Sequence, residues 1–167
     1  MGRNGTLCLS HIFLEIFNQD FKREHRMLFV GTHEHSLDEK GRVVLPAKFR
    51  SRFSAEAFIS PAANCIAIYT PEAFAEMVSR LQVQIQEGSV EPKVLRRLAA
   101  SSDEQRIDSQ GRLSIPQRLR EFASLENEAL LCGAITHIEI WNPVDWEGMA
   151  EDLDRAVADT FWQGGGI

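Results

Sequence analysis

The stretch SLDEKGRVVLPAKFRSRF, Ser36 to Phe53, returns seventy residues later as RIDSQGRLSIPQRLREFA, Arg106 to Ala123. Asp38, Gly41, Arg42, Pro46 and Arg50 recur as Asp108, Gly111, Arg112, Pro116 and Arg120, and most positions between them change conservatively. An internal repeat narrows the possible architectures more than composition does, because each copy meets the same local demand and leaves a similar surface to be covered. The match continues downstream, where IAIYTPEAFAEM (Ile66 to Met77) is answered by IEIWNPVDWEGM (Ile138 to Met149). Alternation at Ile66 and Ile68, and again at Ile138 and Ile140, predicts a strand in each half. Thr70-Pro71 and Asn142-Pro143 then read as an N-cap followed by the first helical residue. Phe74, Met77, Val78, Leu81 and Ile85 form one apolar stripe, and Trp146, Met149, Leu153 and Val157 form another, so an amphipathic helix ends each half. Between the halves, Gly88 to Ser102 reads as a short helical connector carrying Arg96 and Arg97.

Within the motif, an alternating run ends at Leu37-Asp38, glycine follows three residues after the aspartate, and Val43-Val44-Leu45 resumes the strand, which is a hairpin signal. Gly41 and Gly111 supply a positive φ, while Asp38 and Asp108 offer carboxylates to local backbone N–H groups. Two readings of the arginines stand side by side. Arg42 and Arg112 either pin their turns by pairing with the aspartates, worth about 0–1 kcal/mol when exposed, or present guanidinium groups to a ligand. Pro46 and Pro116 end the second strands and open short helices whose Phe49 and Leu119 face inward, leaving Lys48, Arg50, Arg118 and Arg120 to point elsewhere.

The formal charge of −6 is unevenly spread: from Glu121 onward ten acidic residues face the single Arg155, a balance of −9, which leaves +3 on residues 1–120. Both motif copies are basic islands; charge clusters are in general solvated faces, and the alternative is a surface for nucleic acid. Cys8, Cys65 and Cys132 are odd in number and lack CxxC spacing, so neither a disulfide framework nor a zinc site is indicated and a reducing cytoplasm is expected. The apolar run Leu7 to Phe17 is too short and too interrupted to span a bilayer. Residues 1–26 stand outside both repeats, and Met27 directly precedes the patterned LFVGTHEHSL, so the leader is expected to be a dispensable extension.

The doubled DxxGR motif, each copy followed by a strand and a proline, resembles the AbrB-like swapped-hairpin DNA-binding family. The opening M-x-F-x-G of Met27 to Gly31 together with DEKGRVVLPAKFR and DSQGRLSIPQRLR is similar to its tandem branch, the MraZ family. The resemblance covers about Met27 to Met149. It implies a mainly β fold with α elements, a pseudo-two-fold β-barrel of interlocked swapped hairpins with short outer helices. The expected divisions are an extension over 1–26, a first unit over 27–90, a connector over 91–102, a second unit over 103–150 and an acidic C-terminal helix or tail over 151–167. It further implies a cytoplasmic, nucleoid-associated, ring-shaped homo-oligomer that binds promoter repeats upstream of cell-division and wall-synthesis genes, with no cofactor, metal or membrane. Carried over by position, Arg42 is the principal DNA contact and Arg112 its counterpart. Guanidinium groups suit this work because they bond phosphates or reach guanine O6 and N7 bidentately. Lys40, Lys48, Arg50, Arg118 and Arg120 supply electrostatic footing, while Asp38, Gly41, Asp108 and Gly111 structure the turns.

A rival reading from another class is an interaction protein, since AbrB-like folds also resemble the dimerisation parts of antitoxins that neutralise a toxin through an acidic tail. The segment Glu147 to Asp159 is acidic, but its apolar residues recur at helical spacing. An enzyme is not indicated: no nucleophile elbow, phosphate-binding glycine loop or metal-ligand cluster is present. His33 and His35 share one strand face without a third ligand and read as ordinary hairpin residues.

Overall fold

The computed structural model describes residues 28–162; the 1–26 extension, Met27 and residues 163–167 of the acidic tail lie outside the described residues, as do the side chains of Phe161 and Trp162. In the first half β1 (Thr32–Ser36), β2 (Arg42–Val44), α1 (Ala47–Arg50), β3 (Glu56–Pro61), β4 (Ile66–Tyr69) and α2 (Pro71–Gln86) follow one another. The connector contains α3 (Pro92–Ser101). The second half repeats the series as β5 (Asp103–Arg106), β6 (Arg112–Ser114), α4 (Gln117–Phe122), β7 (Glu128–Gly133), β8 (Ile138–Trp141) and α5 (Pro143–Trp162).

The strands of each DxxGR turn find their partners in the opposite half. β1 pairs antiparallel with β7, β5 with β3, and β2 with β6, while the central ladder joins β4 to β8. The main sheet therefore runs β1-β7-β8-β4-β3-β5, an order that reads the same from either edge when the halves are exchanged. Its register is symmetric as well, with Ile66 opposite Ile140 and Ile68 opposite Ile138. The pseudo-two-fold relation expected of the repeat is thus present in the strand order.

The continuous barrel is not. β2 and β6 form a separate two-stranded ladder, joined to the edge strands only through the single bridges Leu37–Val43 and Ile107–Leu113. The physical reason lies in the backbone groups at the turns. Asp38 N–H donates to Arg42 O and Gly41 N–H to Asp38 O, while Leu45 N–H crosses to Gly111 O and Ile115 N–H to Gly41 O, all at 2.8–2.9 Å. Groups that a barrel would spend on extending β1 into β2 are already committed. Nor are all the outer helices short: α2 has 16 residues and α5 has 20.

Between the sheet and the β2–β6 ladder lies the main core, containing Phe29, Val43, Phe49, Ile59, Ile66, Ile68, Leu113, Leu119, Leu131, Ile138 and Ile140. Both short helices contribute their one inward residue, Phe49 and Leu119, and the Phe29 ring meets Phe49 edge-on at 5.6 Å. Each such side chain contributes roughly 1.5–3 kcal/mol by burial, so the core holds the two halves as one body. On the other side of the sheet, α2 stacks Phe74 on Phe58 at 4.6 Å, and α5 sets Trp146 against Trp141 at 5.7 Å. Cys65 and Cys132 are free thiols in this second layer, and burial pushes them up to about 12 and about 11, so they pack as small apolar groups. Thr70 caps α2 by accepting from Ala73 N–H at 3.2 Å, and Asn142 accepts from Val144 N–H at 2.9 Å at the start of α5. From Glu151 to Thr160 every residue of α5 is exposed. No described helix is long and apolar enough to cross a membrane.

Candidate nucleic-acid interface

The two turns are built alike to within a few tenths of an ångström. Asp38 Oδ1 accepts from the N–H groups of Lys40 (3.0 Å) and Arg42 (2.9 Å), and Oδ2 accepts from Arg42 Nε (2.8 Å) and Nη2 (2.7 Å). Asp108 Oδ1 accepts from Gln110 and Arg112 N–H at 2.9 Å each, and Oδ2 accepts from Arg112 Nε at 2.6 Å. Hydrogen bonding from the Arg42 side chain and backbone brings Asp38 down to about 2, while the guanidinium is raised by the same carboxylate. Asp108 is lowered too, chiefly by the Arg112 backbone N–H.

Glycine is required at the turns for two reasons. Gly41 has φ +70° and Gly111 has φ +78°. In addition, an added Cβ at Gly41 would stand 2.8 Å from Arg120 Cζ and Nε, and at Gly111 2.8 Å from Arg50 Cδ. Each short helix therefore lays its last arginine across the turn of the opposite half. Arg50 Nη2 donates to Ser109 O at 2.7 Å, and Arg120 Nε donates to Ile115 O at 3.2 Å.

The β2–β6 ladder sets which side chains face out. Val43 lies opposite Leu113, and both are fully buried. Alternation then turns the other four residues outward, with Arg42 opposite Ser114 and Val44 opposite Arg112. Arg42 and Arg112 consequently share one face of a two-stranded ribbon on a diagonal, each oriented by its own aspartate. Their side chains remain 27% and 37% exposed. Both sequence readings of the arginines are therefore compatible with one geometry: the carboxylate pins the turn by gripping one edge of the guanidinium, and the rest of the group faces solvent.

The remaining basic residues separate into distinct places. Lys40 is exposed at the tip of the first turn. Lys48 Nζ reaches back to Val30 O at 3.2 Å, before β1. Its counterpart Arg118 donates to Ser101 O at 2.9 Å and pairs with Asp103, before and at the start of β5. Asp103 occupies the position that His33 holds in the first half, so the second half neutralises this cation where the first places an imidazole. His33 packs edge-on against Phe49 at 5.0 Å, and burial lowers His35. Lys40, Arg42 and Arg112 thus gather at the ribbon, Arg50 and Arg120 lie behind it as turn covers, and Lys48 and Arg118 are drawn toward the starts of β1 and β5. Sequence reasoning missed Val44 and Ser114 on the ribbon face; the period-two pattern around Val43 could have assigned them. A groove of about 780 Å³ beside β1, β7 and α5 is walled by Glu34, Glu128 and Glu147, a charge that repels phosphate.

Comparison with known proteins matches residues 28–93 and 98–160 to the family described as "MraZ protein, putative antitoxin-like". A relative from Cutibacterium acnes named transcriptional regulator MraZ is 42% identical over 137 residues, 79% of this chain and 94% of the relative. Relatives of the same name from Roseiflexus castenholzii and Mycobacterium tuberculosis are 36% and 33% identical, covering 81% and 80% of this chain and 95% and 100% of theirs. With both repeats matched and nearly the full length of these relatives spanned, the chain belongs to the MraZ family.

Proposed function

We propose that this chain is a sequence-specific DNA-binding regulator of transcription rather than an enzyme, acting in the cytoplasm on the nucleoid. The observation that carries the reading is the outward face of the β2–β6 ribbon, which sets two carboxylate-oriented arginines on one surface narrow enough to enter a major groove. Arg42 and Arg112 are the base-reading groups, and Lys40, Lys48, Arg50, Arg118 and Arg120 provide the positive field around them. Arg118 contributes least of these, because Asp103 offsets it. The relatives' name, transcriptional regulator, supports the same reading.

Target sites are repeats in promoters upstream of cell-division and wall-synthesis genes, and the protein works as a ring of copies. Support for self-association comes from the helices. α3 carries Lys93, Arg96 and Arg97 without an acidic residue, whereas α5 carries six acids against Arg155. Exposed Val94 lies on α3 and exposed Val83 on α2, while exposed Leu153 and Val157 lie on α5. Docking α5 of one copy on α2 and α3 of the next is a head-to-tail contact, the type that closes into rings. Several ribbons on one ring would then bind spaced repeats with avidity.

Arg→Ala at residues 42 and 112, singly and together, tests the site. A base-reading arginine should cost about 1–3 kcal/mol of specific binding and relax discrimination at one base pair. A phosphate contact should instead weaken all sequences alike and lower the salt slope by about one. Specific affinity retained by Arg42→Ala at physiological salt would overturn the assignment. Footprinting on DNA upstream of its own gene would reveal repetition and spacing. A second reading, capture of a toxin by the acidic α5, has in its favour the exposed acidic helix and the family description; it predicts that a small protein co-purifies with the chain and that DNA binding is absent.

A further inference from the structure

Four side chains face outward from the β2–β6 ribbon, and three of them are polar: Arg42, Arg112 and Ser114. The fourth is Val44, 44% exposed and directly across from Arg112. Exposed valine on a strand is unremarkable by itself, since β-branched side chains favour strands and single surface apolar residues are common. Its placement is what requires an account. Val44 sits at one end of the face that carries both aspartate-oriented arginines, directly across from Arg112, and its counterpart in the second half is Ser114. Every other outward position thus offers hydrogen-bonding groups, while this one offers two methyls.

We propose that Val44 is a specificity-determining residue that packs on the 5-methyl group of a thymine in the major groove. This rests on the DNA-binding reading above. Thymine is the base whose major-groove edge presents a methyl group, beside the O4 acceptor, whereas guanine presents the O6 and N7 acceptors that arginine takes bidentately. Along β2, Arg42 and Val44 are two residues apart, about 6.8 Å, which corresponds to roughly two base-pair steps. The preferred site therefore contains a thymine within about two steps of the bases bonded by Arg42 and Arg112. Because Ser114 replaces the valine on β6, the two edges of the pseudo-symmetric ribbon differ, and the site has a direction instead of being palindromic.

The test uses the full chain and duplexes selected by it from a randomised library, each holding a single site. Deoxyuridine replaces every thymine in turn, which removes the 5-methyl and nothing else, and affinity is measured at physiological salt. For the native chain, one such replacement should weaken binding about fourfold, the worth of one buried methyl. Val44→Ser and Val44→Ala should bind the thymine duplex less tightly and be indifferent to deoxyuridine at that position. Ser114→Val should gain sensitivity at a second position, related to the first by the ribbon's pseudo-two-fold. A clear sequence preference with no thymine sensitive to methyl removal, or with equal sensitivity in the native chain and Val44→Ser, overturns this inference alone. Failure of the library to yield any preferred sequence overturns the sequence-specific reading and the present inference with it.

Discussion

Replacing Gly41 by alanine should destabilise the protein through a contact between its two halves. Two effects add. Residue 41 adopts φ +70°, where an L side chain costs roughly 1–2 kcal/mol. The new Cβ would also meet Arg120 Cζ and Nε at 2.8 Å, pushing that side chain away and lengthening its 3.2 Å bond to Ile115 O. Losing a half-exposed arginine–carbonyl bond costs about 1 kcal/mol. The total is about 2–3 kcal/mol, a fall in Tm of about 7–10 °C for a body of this size when protein concentration is fixed. Thermal denaturation followed by circular dichroism reads this directly.

A double-mutant cycle separates the two contributions. Arg120→Ala in the Gly41→Ala background removes the steric conflict but leaves the backbone strain, so about 1 kcal/mol should be coupled and the rest should persist. Gly111→Ala should behave likewise against Arg50, whose Nη2 bond to Ser109 O is shorter at 2.7 Å. Melting should stay a single transition throughout, because the conflict lies between elements of opposite halves. A shift in Tm below about 2 °C for Gly41→Ala, or zero coupling with Arg120, refutes the role given to these arginines.

Acid titration offers a second test: Asp38 is depressed from 3.8 to about 2, so its contribution is complete above pH 3.8 and is lost as pH falls from there to about 2. Arg42→Ala removes the main cause of that depression and should blunt the stability change in this window, as followed by urea unfolding at stepped pH. Cleavage of the chain at Gly88 should leave two fragments that co-elute from a sizing column, since four ladders cross between the halves; two separate, well-folded monomers would refute the strand exchange. Leu153→Asp, at the exposed apolar seam of α5, should shift the particle mass toward a single chain in mass photometry while leaving Tm nearly unchanged, and an unaltered mass distribution would remove α5 from the contact between copies.

Local structure was legible in the residues because its causes are local. Asp, Gly and Arg at fixed spacing specify the turn, since the carboxylate, the positive φ and the returning N–H all belong to one five-residue loop. Thr70-Pro71 specifies the start of α2, and alternation at Ile66 and Ile68 specifies the inward face of β4. Strand partners depend on surfaces seventy residues apart, and the repeat alone shows that two copies meet without showing how. The barrel was expected from family likeness and fails at the two points where the turns' own hydrogen bonds occupy the backbone. The charge of Arg50 and Arg120 is visible in the sequence, but their second task is not, because the glycine that each covers lies in the other half.

Placing both copies in one chain has a consequence that a homodimer lacks. In a two-chain version the equivalent positions are identical by construction, so the ribbon would read a palindrome. Here the positions that build the shared turn, Asp38 and Asp108, Gly41 and Gly111, Arg42 and Arg112, are the same in both halves, because each half needs the same loop. The positions around them are free to differ: Lys40 stands against Gln110, Val44 against Ser114, and the Lys48 and His33 pair against Arg118 and Asp103. Glu39, where the second half has Ser109, offsets Lys40 at the first turn, so the asymmetry rests on Val44 and on Lys48, which lacks the carboxylate that Asp103 gives Arg118. Arg42 therefore shares its half with Lys48, whereas Arg112 shares its half with an Arg118 that Asp103 neutralises. At equal turn geometry, Arg42→Ala should weaken DNA binding more than Arg112→Ala. Introducing Asp at residue 33, which gives Lys48 the partner that Arg118 already has, should lower the salt slope of binding by about one without changing the preferred sequence. An unchanged slope in that variant would place Lys48 outside the DNA footprint.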